Sequence, residues 1–121
     1  MNKEFVPYEQ ALALKELEFN EPCFGYYTGD KMHLVIRPLM LRTNELESYV
    51  VTAPTFSQAF RWFREKYGYY SFVFKFDEGF GYETYKEGVT QTNESFDTYE
   101  EAELGCLKKL IEIVKNKTQK L

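Results

Sequence analysis

The sequence predicts an α+β fold in two layers, with an antiparallel sheet of four to five strands and three helices on one of its faces. Three observations predict it. Short runs of alternating side chains come in pairs joined by turn residues, the pattern of antiparallel hairpins. Three longer segments instead repeat their apolar residues at helical spacing. The chain has 121 residues, 44% of them hydrophobic, which suits a single domain over 1–121 with its own core. The expected order is α-β-β-(β)-α-β-β-α.

The first helix is expected over 7–19, with Pro7 in the first turn, where a missing N–H costs nothing. Ala11, Leu12, Leu14 and Leu17 form its apolar side. Asn20 suits a left-handed stop and Pro22 blocks continuation. Strands over 23–27 (CFGYY) and 32–37 (MHLVIR) flank a turn at 28–31. Alternation puts Phe24, Tyr26, Met32, Leu34 and Ile36 on one face, and Gly25, Tyr27, His33, Val35 and Arg37 on the other. Residues 38–48 read as irregular and 48–53 as a third strand.

The second helix begins at Thr55, which has capping-box spacing to Gln58. Phe56, Phe60, Phe63 and Tyr67 repeat at helical spacing, widened by Ala59 and Trp62, and Gly68 ends the helix. A hairpin follows, 69–76 and 80–87 about a turn at 77–79, with Tyr70, Phe72, Phe74 and Phe76 on one face. Polar residues 88–95 read as a loop. The last helix starts at Asp97 or Thr98, with Thr98 and Glu101 spaced as a capping box. Its core stripe is Leu104, Leu107, Leu110, Ile111 and Val114, widened by Ala102, Cys106 and Ile113. Acids in its first turns and Lys115 and Lys117 at its far end suit the helix dipole.

A shift of 48 residues aligns the halves without a gap. Gln10, Ala11 and Phe24 meet Gln58, Ala59 and Phe72, and Tyr26 meets Phe74. An αββ duplication would produce this, and so would two unrelated units of the same layout.

The sequence offers little chemistry. His33 is the single histidine, so Cys–His and Ser–His–Asp sets would all depend on it. Cys23 and Cys106 lie far apart with no CxxC spacing, and packing is the default role of Cys106 within the helix stripe. Gly79, Gly81 and Gly88 match no phosphate-loop pattern. The acids from Glu94 to Glu103 are explained by the helix start they precede. No catalytic residue, metal or cofactor is therefore expected. A net charge of −4 argues against general affinity for nucleic acid. No apolar leader follows MNKEFVPYEQ and no stretch is long enough to span a membrane, so the expected setting is the cytoplasm with reduced thiols.

The rings are in surplus: 10 Tyr, 11 Phe and 1 Trp. If the helices cover the face of Phe24, Tyr26, Phe72 and Phe74, the opposite face carries Tyr27, His33, Val35, Arg37, Ser71, Val73, Lys75, Glu83 and Tyr85. That mixture fits a protein partner or a homodimer face. The alternatives are single-stranded bases stacked on the rings, an ordinary half-wet sheet face, and a small enzyme using His33 or the carboxylates of Glu94–Glu103. Among these, a non-enzymatic interaction module is the leading reading.

Three segments, EFNEPCFGYY (18–27), APTFSQAFRWFREKYG (53–68) and FDTYEEAELGCLKKLIEIVK (96–115), resemble a family of small uncharacterised proteins that recur in gut anaerobes, their phages and mobile elements. The resemblance covers most of the chain. It implies a bacterial or phage cytoplasmic setting, and it implies no activity and no site residues.

Overall fold

The short chain reversals and β-branched or aromatic strands of this sequence build two separate sheets. A computed structural model describes residues 2–28, 33–87, 89–92 and 95–119. The fold is α+β, and its strands pair antiparallel as expected. They form two three-stranded sheets rather than one sheet of four to five. Alternation assigns the faces of a strand, but it says nothing about which strands become neighbours. The chain divides into two compact units, Met1–Ser57 and Gln58–Leu121, each holding one sheet.

In the first unit, α1 (Tyr8–Glu16) is followed by β1 (Cys23–Tyr27), β2 (Leu34–Leu41) and β3 (Val51–Ala53), and β1 is central in the order β2-β1-β3. Pro7 stands just before α1 as its N-cap, its carbonyl accepting from the Ala11 N–H. The left-handed stop comes at Glu18, with φ 68°, and not at Asn20. The Phe19 N–H donates to the Leu14 carbonyl and the Glu18 N–H to that of Lys15, a Schellman closure with glutamate where glycine is usual. Leu14 and Phe19, at the two ends of the motif, are both fully buried.

β2 runs on to Leu41 through residues read as irregular, with Pro38 inside it. An edge strand tolerates proline because one side of its ladder is open. A break in register between Cys23 and Gly25 accommodates the extra residues. The third strand is shorter than expected and wholly buried. The expected turn residues Gly29, Asp30 and Lys31, and Met32 after them, lie outside the described residues.

In the second unit lies most of α2 (Phe56–Tyr67), then β4 (Tyr70–Phe76), β5 (Gly79–Lys86), β6 (Val89–Thr92) and α3 (Tyr99–Gln119). Gly68 ends α2 at φ +76°, its N–H donating to the Arg64 carbonyl, as the sequence predicts. The capping box of α3 also forms: the Glu101 N–H donates to Thr98 Oγ1, and the Thr98 N–H to Glu101 Oε1, each at 3.1 Å. β6 lies where a loop was expected. Its Val-Thr-Gln-Thr run has strand-forming β-branched residues but no apolar alternation, so it pairs on β5 without announcing a core face. A turn at Glu87, φ 52°, leads into it.

α3 packs on β4 and β5. Ala102, Cys106, Leu107, Leu110 and Val114 are buried along it, whereas Leu104 and Ile113 are half-buried at the margins of the stripe. At the 48-residue shift α1 and α2 begin in register and β1 overlaps β4. The pairing does not repeat, because β1 is central in its sheet and β4 is an edge in the order β4-β5-β6.

Candidate functional site

Faces are decided by what can approach closely. On β1 the covered face is Cys23, Gly25 and Tyr27, and Phe24 is exposed. The Phe5 ring lies so near Gly25 that a Cβ there would stand 3.0 Å from it and 3.1 Å from the Ala53 carbonyl oxygen. Tyr27 is 8% exposed. Its hydroxyl donates to the Val6 carbonyl at 2.8 Å and its ring meets Tyr8 edge-on at 5.6 Å.

On β4 the covered face is likewise the one with the smaller side chains. Ser71 and Val73 are half-buried, and Ser71 hydrogen-bonds the Cys106 thiol of α3. The expected covering is therefore inverted in both sheets. Phe24, Tyr70, Phe72 and Phe76 are turned out, and Tyr27 is inside.

The expected interaction face is thereby taken apart. Tyr27 is core. His33 and Arg37 are exposed and Val35 is half-buried, on and just before β2. Val73 faces α3. Lys75 is exposed on the same side as Val73, with Nζ 5.1 Å from the Phe80 ring centre. Glu83 and Tyr85 lie opposite Phe72 and Tyr70 in the ladder, so they belong to the aromatic face and not with Val73 and Lys75. Strand alternation within β4 is legible in the sequence, but the register of β5 against it comes from the hairpin.

The structure brings together instead a continuous aromatic face on β4 and β5. Cross-strand pairs set Tyr70 against Tyr85, Phe72 against Glu83, Phe74 against Gly81 and Phe76 against Gly79. The rings of Phe72, Phe74 and Phe76 follow one another at 6.3 and 6.0 Å between centres. Phe74 and Phe76 lean over Gly81, whose Cβ, if present, would stand 3.2 and 3.3 Å from them. The two rings thus fill the space left by a missing side chain.

Tyr70, Phe72 and Tyr85 have no such glycine to cover, and Phe72 is 51% exposed. Among the β4 and β5 side chains on this face, the one formal charge is Glu83. The signal for this face was present in the sequence as the FxFxF run opposite GxG. Its exposure was not.

A cleft of about 450 Å³ lies beside α3, lined by Tyr82, Phe96, Leu104 and Gly105 together with charged groups that include Lys108 and Glu101. Phe96 is held by two backbone hydrogen bonds with Phe80, at 2.9 and 2.8 Å. Its ring occupies the space a Cβ on Gly105 would need, 2.7 Å from Cζ. Burial, with a smaller contribution from Glu100, raises the pKa of Glu103 on the same helix and makes it a weaker acid.

Neither thiol is poised as a nucleophile. Burial pushes Cys23 up to about 12 against a weaker opposing hydrogen bond from Thr52, and burial does the same to Cys106 against that from Ser71. Among the described residues, no group of His, Cys, Asp and Glu is arranged to hold a metal ion. No helix of the described residues is long and apolar enough to cross a membrane. Comparison with protein-family models, curated proteins and solved structures finds no match.

Proposed function

We propose that this chain is a non-enzymatic protein-interaction module that binds a partner protein through the aromatic face of β4 and β5. One observation carries the reading: Tyr70, Phe72, Phe76 and Tyr85 form a contiguous exposed patch on a sheet whose other face packs on α3. Clustered exposed rings of this kind mark interaction sites, because their burial releases a large apolar area on a rigid platform. A partner presenting an apolar surface with a cation placed for Glu83 fits it.

Stacking of single-stranded bases fits less well, since this face offers a carboxylate where a phosphate backbone needs cations. The phage or mobile-element setting and the cytoplasmic location belong to the same proposal.

The test is capture of a partner from a bacterial host lysate by the wild-type chain and by the Phe72→Ser, Tyr85→Ser double variant, followed by reconstitution with the purified partner. The expected result is binding that depends weakly on salt and falls at least roughly tenfold in the variant. Equal binding by the folded variant overturns the reading. So does a wild-type chain that captures nothing, or steeply salt-dependent retention of nucleic acid.

A further inference from the structure

We infer that two copies of this chain associate edge to edge, β4 against β4 in antiparallel register, to make one six-stranded sheet. The inference rests on the strand edge and not on the aromatic face, so it stands or falls separately from the proposed function.

The four sheet edges differ in how they are protected. β3 is three residues long and buried, and α1 packs on it. β2 is long but carries Pro38, next to the register break across from β1. β6 is four residues long and polar. β4 has seven residues, an unbroken register with β5, no proline, no bulge and a single charge, Lys75. Proline, bulges, shortness and charge are the means by which edge strands resist pairing, and β4 has almost none of them.

The direction of its free backbone groups follows from the ladder. Phe80 exchanges both of its backbone hydrogen bonds with Phe96, on the side away from β4. Hydrogen-bonded and non-bonded pairs alternate along an antiparallel ladder. The pairs bonded between β4 and β5 are therefore Phe76–Gly79, Phe74–Gly81, Phe72–Glu83 and Tyr70–Tyr85. The N–H and C=O of Ser71, Val73 and Lys75 consequently point outward. Among the described residues β4 pairs with β5 alone.

Two such edges are self-complementary about a twofold axis through Val73. Val73 then meets Val73 of the second copy, and Ser71 meets Lys75 of the second copy, twice. All three outward-facing residues enter bonded pairs, giving about six new hydrogen bonds. On the aromatic side Tyr70 faces Phe76 and Phe72 faces Phe74 of the second copy, all ring against ring. A register centred on Lys75 would oppose like charges, so the arrangement selects Val73. The symmetry is that of an isologous dimer.

Proline at position 73 tests this without touching the β5 ladder, because the Val73 N–H is on the open side. Sedimentation velocity from micromolar to sub-millimolar concentration should show a reversible dimer for the wild type. The dimer's dissociation constant should rise at least roughly tenfold for Val73→Pro with circular dichroism unchanged. If that variant fails to fold, Lys75→Pro removes another outward N–H from an exposed position.

Register is read by mild oxidation of Phe72→Cys mixed with Phe74→Cys. The two α-carbons would lie about 4.5 Å apart, within disulfide reach. Cross-linked dimer should form in the mixture and not with either variant alone, the native thiols being buried. A wild type that is monomeric at every concentration overturns the inference. So does a dimer indifferent to both prolines, or cross-linking equal in single variants and mixture. Tyr85→Ser, outside the β4 edge, should leave the dimer intact even where it abolishes capture of a partner.

Discussion

The first and second sheets turn equivalent side chains outward but cover their other faces by different means. Phe24 and Phe72, related by the 48-residue shift, are both exposed, although one lies on a central strand and the other on an edge. Beneath β1 the cover includes the short extended stretch between the 3-10 turn Asn2–Glu4 and α1, which sets Phe5 against Gly25 and offers the Val6 carbonyl to Tyr27. Beneath β4 and β5 it is the 21-residue helix α3. An extended segment buries little apolar area for each residue it orders, so its fit must be close and specific. A helix brings a broad stripe, and its fit is set by a few large side chains. The lesson is that small residues mark the face that something approaches, while rings on the opposite face are left for other uses.

If this contrast is correct, the largest loss of stability comes from thinning the helix stripe. Leu107→Ala, at a fully buried position on α3, is expected to cost about 2–5 kcal/mol by chemical denaturation. A loss near that of a surface substitution would mean that the α3 stripe is not what covers the second sheet. Gly25→Ala should cost less, about 1–3 kcal/mol, because its new Cβ presses on the Phe5 ring and the Ala53 carbonyl together. A neutral result would mean that the N-terminal segment is not a tight cover. Tyr27→Phe removes only the hydroxyl bond to Val6 and should cost about 0.5–1.5 kcal/mol. Glu18→Gly should act in the opposite sense and stabilise by about 1 kcal/mol, since it relieves a left-handed φ at the Schellman closure.

The buried thiols, Cys23 on β1 and Cys106 on α3, make stability depend on pH in both units. Burial raises both from an ordinary 9.0 to about 12 in the folded chain, so the folded state keeps protons that the unfolded state gives up. The stability tied to each thiol is fully present below pH 9 and is lost as pH rises toward 12. Burial raises Tyr27 as well, which acts in the same sense above its ordinary 10.0. Denaturation midpoints should be flat near neutrality and fall above pH 9. The fall should be shallower with Cys23→Ala and Cys106→Ala together, and an unchanged profile in that variant would remove the thiols from the account.

Much of the fold was legible. Helix spacing and end signals located α2 and α3 closely, down to Gly68 at φ +76° and the reciprocal bonds of Thr98 and Glu101, because caps depend on residues a turn apart. The stop of α1 was displaced to Glu18, where tertiary burial of Phe19 and Leu14 outweighed the local preference for asparagine. β6 carries no strand signature in the sequence because a polar edge strand has no apolar alternation. Of the residues expected on the interaction face, only Glu83 and Tyr85 lie on the exposed aromatic face. Tyr27 looked available only because a ring carries no mark of whether its hydroxyl will find a partner such as the Val6 carbonyl.

The sequence by itself determined the periodicities: which residues form helices, where those helices cap, and which side chains share a face of each strand. These are properties of neighbours within about four positions, set by backbone geometry and local hydrogen bonds. Only the tertiary structure decided which face is covered, how the strands divide into two sheets, and that β4 ends one of them. Those outcomes depend on partners distant along the chain, such as Phe5 over Gly25 and Cys106 beside Ser71, whose close approach no local pattern records.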